Sequence, residues 1–390
     1  MGAAGAGMPP NLNCEDQWTY DMTNNTELFN SMIHTNGTRI LITIVLPCIL
    51  AVGVLSNGAF LFVLYRVRWM RTITNFYLAN LSVADFAFLI AAGGEHLWGY
   101  MYSPVPMDDM HLGMFGCIAM TLMLYISYFG SVLLVTLVTL HRFFAICCPN
   151  RQELIGSRSR TIKLVTGTWA ISILIAVLLV PSMSLFVTHC LVWPEDLQDN
   201  SHYPNVMGSC YPVTSWVATV ATLAQTIPFF VAVIGNSIMY AKIIQSLTSR
   251  VEARKQRKYA SPTSVERARD KVARMLIANG IIFFVCLAPF QAMGFTSVIT
   301  NHLVQDAPRL LTEGQYDTFV WFARMLGYTN SAINPIVYNA TNPRYRQAFC
   351  EAFPCIPNKK ENESPPQSQM TRNFRSTNNT QHYTTCVSKL

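Results

Sequence analysis

The chain has 390 residues, of which 51% are hydrophobic and only 13% charged, with a formal net charge of +7. A soluble domain carries about 25% charged residues, so this composition excludes an ordinary soluble globular protein. No nucleic-acid partner is expected.

Seven apolar runs lie at roughly 40–65, 74–98, 114–140, 164–187, 213–241, 272–299 and 318–339, each near the ~20 residues that cross a bilayer. Lysine and arginine set the orientation. Twenty-five of the 28 fall in the loops after spans 1, 3 and 5 or after Tyr338; the exceptions are Arg39, Arg309 and Arg324. Those regions are therefore expected in the cytoplasm and the N-terminus outside. Thirteen of the 21 acidic residues lie in the outer regions, among them Glu95, Asp108, Asp109, Glu195, Asp196 and Asp199. An acidic outer face over a basic inner one points to a basic ligand.

Residues 1–39 form an extracellular segment with two glycosylation sequons, at Asn24 and Asn36. Residues 1–10 lack the charged start and apolar run of a cleaved signal peptide, which leaves span 1 as the insertion signal. Span 1 contains Gly53-Val54-Leu55-Ser56-Asn57. Span 2 contains Leu78-Ala79-Asn80-Leu81-Ser82-Val83-Ala84-Asp85, with a carboxylate at mid-membrane. Such a group is costly in lipid and marks a functional position. Span 3 starts near Cys117 and ends in His141-Arg142-Phe143. Span 4 has Trp169 and Pro181, and span 5 has Pro228. Span 6 has Phe283-Phe284-Val285-Cys286-Leu287-Ala288-Pro289. Span 7 has Asn330-Ser331-Ala332-Ile333-Asn334-Pro335-Ile336-Val337-Tyr338. Asn330, Ser331 and Asn334 should face protein or trapped water. A basic, aromatic stretch follows, with Tyr345 and Phe349 on its apolar side, as in a helix lying on a membrane surface.

Taken in order over about residues 40–350, these pieces resemble the rhodopsin-like (class A) G-protein-coupled receptors. The resemblance implies an all-α membrane protein: a seven-transmembrane helix bundle with a short amphipathic eighth helix. It divides the chain into an extracellular segment 1–39, a receptor domain 40–339, a membrane-surface helix 340–355 and a disordered cytoplasmic tail 356–390. Three departures stand out. The family's acid before Arg142 is His141, its tyrosine eight residues after Pro228 is Asn236, and its span 6 tryptophan is Leu287.

The family joins the cysteine at the top of span 3 to one in the second outer loop. Cys117 takes the first role and Cys210 the second, with Cys190 as the rival; Cys14 with Cys190 is then a second bridge. Arg142, His141, Asn236, Phe283, Leu287, Pro289, Asn334, Pro335 and Tyr338 occupy positions tied to activation and G-protein coupling. Without an acid beside it, Arg142 would be held by packing of Phe143 and Leu140 or by Asn236; the alternative is a small gap between inactive and active states, with signalling in the absence of ligand. Asp85, Ser131, Asn330, Ser331 and Asn334 match the positions around a sodium ion, an allosteric ligand; a water-filled polar network is the alternative. No other cofactor is implied. Cys350 and Cys355 match palmitoylation positions, or are free thiols.

Glu95 lies ten residues outward from Asp85, and Arg324 eleven outward from Pro335. At ~1.5 Å per residue both rise to one level. They form a mutual salt bridge or grip a ligand. Leu124 stands where aminergic receptors carry Asp, and Tyr328 where visual pigments carry the retinal lysine. With Tyr125, Phe290 and Gln291 they make a lining suited to a peptide. The overall look is similar to FMRFamide-type neuropeptide receptors. The implied protein is no enzyme. It sits in the plasma membrane, in contact with lipid, and binds an extracellular peptide and a heterotrimeric G protein, with arrestin and receptor kinases as further partners. The C-terminal Ser388-Lys389-Leu390 suits a PDZ domain, a peroxisomal signal or a plain tail. Alternatives are an odorant-type receptor for small molecules and, in another class, a seven-span transporter or membrane hydrolase.

Overall fold

The computed structural model describes residues 19–149, 157–195, 203–256, 264–302 and 313–353. A strand β1 (Thr19–Asp21) and short helices α1 (Thr26–Ser31) and α2 (Asn36–Ile40) come first. Helix α2 runs through a π-helical turn, Leu41–Val45, into α3 (Leu46–Arg66). The second span is α4 (Ile73–Phe88), a π-helical turn Leu89–Gly93, and α5 (Gly94–Tyr102). Then follow α6 (Gly113–Cys147) and α7 (Arg158–Leu179), and strands β2 (Leu185–Val192) and β3 (Val206–Tyr211). Helices α8 (Ser215–Gln256), α9 (Ser264–His302), α10 (Glu313–Thr341) and α11 (Pro343–Ala352) complete the chain.

Among the described residues, six helical stretches are long and apolar enough to cross a membrane. The seventh, α10, matches them at 29 residues but carries the polar Asn330, Ser331 and Asn334. The fourth span is shorter than its apolar run. It ends at Leu179, Val180–Ser182 form a 3-10 turn, and strand β2 has begun by Leu185. Pro181 cannot donate to the helical ladder, which explains the early stop.

Pro335 stays inside α10 because a neighbouring helix takes over the freed group. Pro335 leaves the Ser331 carbonyl without its backbone donor. The Asn57 side chain supplies that donor at 2.9 Å, and Ser56 Oγ donates to the next carbonyl, Ala332, at 2.7 Å. Gly53 permits this approach of α3 to α10, since a Cβ there would meet Ala332 at 3.1 Å. Trp169 Nε1 donates to Asn80 Oδ1 at 3.0 Å and joins the second and fourth spans.

One end of the bundle carries a three-stranded sheet of order β1-β2-β3, with β1 parallel to β2 and β2 antiparallel to β3. Met22, Met32, Val105, Leu191, Trp193 and Met207 form its own apolar cluster. Cys117 of α6 is bonded to Cys210 of β3, with Cα atoms 5.8 Å apart. This resolves the choice in favour of Cys210 over Cys190. Cys190 is disulfide-bonded as well; Cys14, its expected partner, lies outside the described residues, as do Cys355 and the tail 356–390. The opposite end carries α11, on which Tyr345, Ala348 and Ala352 are buried.

Candidate functional site

The sheet end is held by two carboxylates. Asp108 Oδ1 accepts the Gly208 N–H and Asp109 Oδ2 the Cys210 N–H, both at 3.1 Å. These N–H groups would otherwise line the free edge of β3, a site for unwanted strand pairing. Burial pushes the Asp109 carboxyl up, and the Cys210 N–H opposes that shift. Asp108 and Asp109 therefore serve the fold. Asp196 and Asp199 lie outside the described residues.

Below the sheet, Glu95 and Arg324 do not form the direct salt bridge that counting residues allows. His96 stands between them. Its Nδ1 is 2.9 Å from Glu95 Oε2, and its Nε2 is 3.3 Å from Arg324 Nη1. A single tautomer serves both contacts: Nδ1–H donates to the carboxylate and Nε2 accepts from the guanidinium. The π-helical turn Leu89–Gly93 explains the substitution of His96 for Glu95. It adds one residue to a turn, so the next residue takes the place that regular counting assigns to its predecessor. The Arg324 guanidinium also lies 5.4 Å from the centre of the Trp321 ring. His96 is 5.3 Å from Trp321 and 6.4 Å from Tyr328. Sequence reading missed both His96 and Trp321. The signals were adjacency to Glu95 and a three-residue spacing from Arg324.

The remaining lining residues divide. Leu124 packs with buried Tyr328 beside the Arg324 cluster. Tyr125 lies apart, stacked at 6.1 Å on Phe129 toward α7 and α8. Gln291 is buried, and its Oε1 accepts Thr226 Oγ1 at 3.3 Å. Phe290, one residue earlier, is 37% exposed.

At mid-bundle Asp85 is fully buried. Asn334 Nδ2 donates to its Oδ2 at 2.6 Å, and Ser331 is buried three residues before Asn334 on the same helix. Asp85 Oδ1 has no hydrogen-bond partner, nor have Ser82 Oγ, Asn330 Oδ1 and Asn334 Oδ1. Ser131 is buried on α6, and among the described residues it makes no hydrogen bond to the carboxylate. One carboxylate with spare hydroxyl and amide oxygens is a donor set that fits a hard monovalent cation.

Toward the α11 end, Phe283 lies in the apolar core with Leu287 packed against it, and Pro289 sits inside α9. Tyr338 is fully buried, 5.4 Å from Phe60 and 5.8 Å from Tyr345. Arg142 Nη2 donates to Thr74 Oγ1. The expected bond from Asn236 is not formed, because Asn236 Nδ2 donates to Thr136 Oγ1 at 3.0 Å and to Ala232 O at 2.8 Å. Arg142 lies six residues beyond Thr136, about 9 Å along α6 and about 120° around it, which takes Asn236 out of reach. The His141 ring lies 5.8 Å from the Tyr77 ring. Asp270 is 4.0 Å from Arg269 and does not reach Arg142. Cys350 is half-buried on α11, and Asn24 and Asn36 are exposed.

Residues 56–338 match the family model of the seven-transmembrane receptors of the rhodopsin family. The human thyrotropin-releasing hormone receptor is 25% identical over 370 residues, covering 88% of this chain and 85% of its own. The pig growth hormone secretagogue receptor type 1 is 27% identical over 346 residues, covering 87% and 88%. The human cholecystokinin receptor type A is 24% identical over 361 residues, covering 80% and 79%. A narrower likeness to FMRFamide-type receptors finds no support in these comparisons. The family match takes in most of the chain and leaves no place for the transporter or hydrolase alternative. With polar groups meeting at mid-bundle and a disulfide tying the third span to the sheet, the chain belongs to the rhodopsin family of seven-transmembrane receptors.

Proposed function

We propose that this receptor binds an extracellular peptide at its sheet end and activates a heterotrimeric G protein at its α11 end. The observation that carries this reading is Arg324. Its guanidinium rests on Trp321 and His96, and among the described residues no carboxylate lies within 4 Å of it. A cation held this way, with Glu95 one side chain away, suits the two-sided chemistry of a peptide terminus. Arg324 takes a carboxylate or carboxamide oxygen, and Glu95 takes an N–H or ammonium group. The names of the three relatives, receptors for thyrotropin-releasing hormone, for a growth hormone secretagogue and for cholecystokinin, favour a hormone-like ligand over an odorant.

The lysine and arginine distribution supports a plasma-membrane orientation with the sheet outside and α11 in the cytoplasm. In that orientation Asn24 and Asn36 are available for glycosylation, α11 lies along the inner leaflet, and Cys350 is available for palmitoylation. Sodium at Asp85 acts as an allosteric ligand of the resting receptor. Arrestin, receptor kinases and a PDZ domain are partners at the cytoplasmic side. The test is a panel of free-acid and amidated peptides applied to membranes containing the chain, with stimulated GTP exchange as readout. An activating peptide should lose at least tenfold potency with Arg324→Gln, as for a lost charged hydrogen bond of ~1.5 kcal/mol or more. Activation by small volatile compounds and by no peptide would overturn the reading.

A further inference from the structure

The family's acid beside Arg142 is replaced here by His141, and among the described residues no carboxylate lies within 4 Å of Arg142. Arg142 is nonetheless held. Its Nη2 donates to Thr74 Oγ1, in the first turn of α4. The neighbouring Asn75 is held from the other side. Its Oδ1 accepts the Tyr345 hydroxyl of α11, and its Nδ2 donates to Met70 O at 2.6 Å. Thr74 and Asn75 are both nearly fully buried. Thr72 caps this turn, its hydroxyl accepting Asn75 N at 3.3 Å.

Helix α11 is itself tied down along its length. Trp69 Nε1 donates to Glu351 Oε2 at 2.8 Å, and Arg346 Nη1 donates to the α10 carbonyls of Asn339 and Ala340 at 3.1 Å. The Tyr345 ring stacks on Phe60, with centres 6.1 Å apart, and sits 5.8 Å from Tyr338. One turn along α4, Tyr77 meets His141. Positions 74 and 77 of α4 thus face 142 and 141 of α6, as residues three apart on one helix face must.

We infer that Thr74, Asn75 and Tyr345 are positioning residues that hold Arg142 against α4 in the resting receptor, in place of the missing acid. This inference rests on the receptor reading for its signalling consequence, though not for its geometry. The two bonds act in series. Tyr345 fixes Asn75, Asn75 fixes the first turn of α4, and that turn presents Thr74 to the guanidinium. Release of the Tyr345 hydroxyl lets the turn relax and frees Arg142 to swing toward the gap between α6, α8 and α9, where a partner would enter. Helix α11 then has a direct bearing on the state of Arg142.

The test uses the full chain in lipid nanodiscs with purified G proteins and no ligand. Thr74→Val and Tyr345→Phe each remove one hydroxyl and keep the shape, and each should raise basal GTP exchange about fivefold, the effect of one typical hydrogen bond. Thr74→Ser retains the hydroxyl and should stay at the wild-type level. The double variant should fall short of the product of the two single effects, because both act on one chain of contacts. Unchanged or lowered exchange in either hydroxyl-deleting variant overturns the inference, as does a raised level in Thr74→Ser. A second measurement needs no G protein. Spin-labelled noncanonical residues replacing Arg68 and Lys271 report the spacing between the first loop and α9. Both hydroxyl deletions should increase the long-distance population, and wild-type distances in both overturn the inference. Absence of exchange in every variant together with shifted distances would count against the receptor reading alone.

Discussion

Asn57 donates its side-chain amide to the Ser331 carbonyl at 2.9 Å, the carbonyl that Pro335 leaves without a backbone donor four residues later. Asn57 is fully buried, so no solvent can replace it. Asn57→Ala should therefore destabilise the protein by roughly 1–3 kcal/mol, the cost of an orphaned buried acceptor. Pro335→Ala restores the missing N–H. Thermal unfolding in micelles should show Asn57→Ala less harmful in the Pro335→Ala background than alone. Strict additivity of the two changes would show that the amide serves some other purpose.

Asp108 and Asp109 cover the edge of β3 rather than facing a ligand. Asp109→Ala should uncover the Cys210 N–H and Asp108→Ala the Gly208 N–H. Amide hydrogen exchange at these positions should rise severalfold, while exchange in the middle of α6 stays at its original rate. Neutralising either aspartate should change surface expression more than the salt dependence of ligand association. A pure effect on association would return these residues to the steering field.

Sodium at Asp85 is testable without a ligand. Replacing potassium chloride by sodium chloride at equal ionic strength should raise the thermal stability of the wild type. The gain is about 1 kcal/mol at a concentration about five times the dissociation constant. Asp85→Asn removes the charge and should abolish the difference between the two salts. A sodium effect of equal size in the variant would place the ion elsewhere.

His96 joins Glu95 to Arg324 through both ring nitrogens. His96→Phe keeps the ring against Trp321 and Tyr328 but loses both hydrogen bonds. A loss of about 1–2 kcal/mol in unfolding experiments is expected. His96→Gln, with one donor and one acceptor group, should recover part of it. Equal stability in wild type and His96→Phe would mean that the bridge contributes packing alone.

Much of this molecule is legible in its sequence because the bilayer constrains it so strongly. Apolar runs near 20 residues are required for a span, and their placement already gives seven helices in order. The basic residues cluster in alternate loops for a reason equally independent of tertiary structure. Asn57, Asp85, Asn334 and Pro335 are visible as costly residues in apolar runs, and polar groups in such runs must find each other. Their meeting at mid-bundle follows. Spacing from Pro228 favours Cys210 and leaves Cys190 as the rival, since the distance from α6 to each depends on how the strands pair. Only the register of β2 and β3 brings Cys210 to Cys117.

What only the tertiary structure decided is the azimuth of each side chain. A helix turns about 100° per residue, so one irregular turn reassigns every contact beyond it. The π-helical turn at Leu89–Gly93 puts His96 where regular counting puts Glu95. At the other end, the side chain that meets Arg142 comes from Thr74, 68 positions earlier, and the one that steadies Asn75 comes from Tyr345, 270 positions later. Those partners have ordinary side chains on ordinary helix faces. The composition and periodicity of a single span carry no record of them, because the contact exists only once the helices have packed.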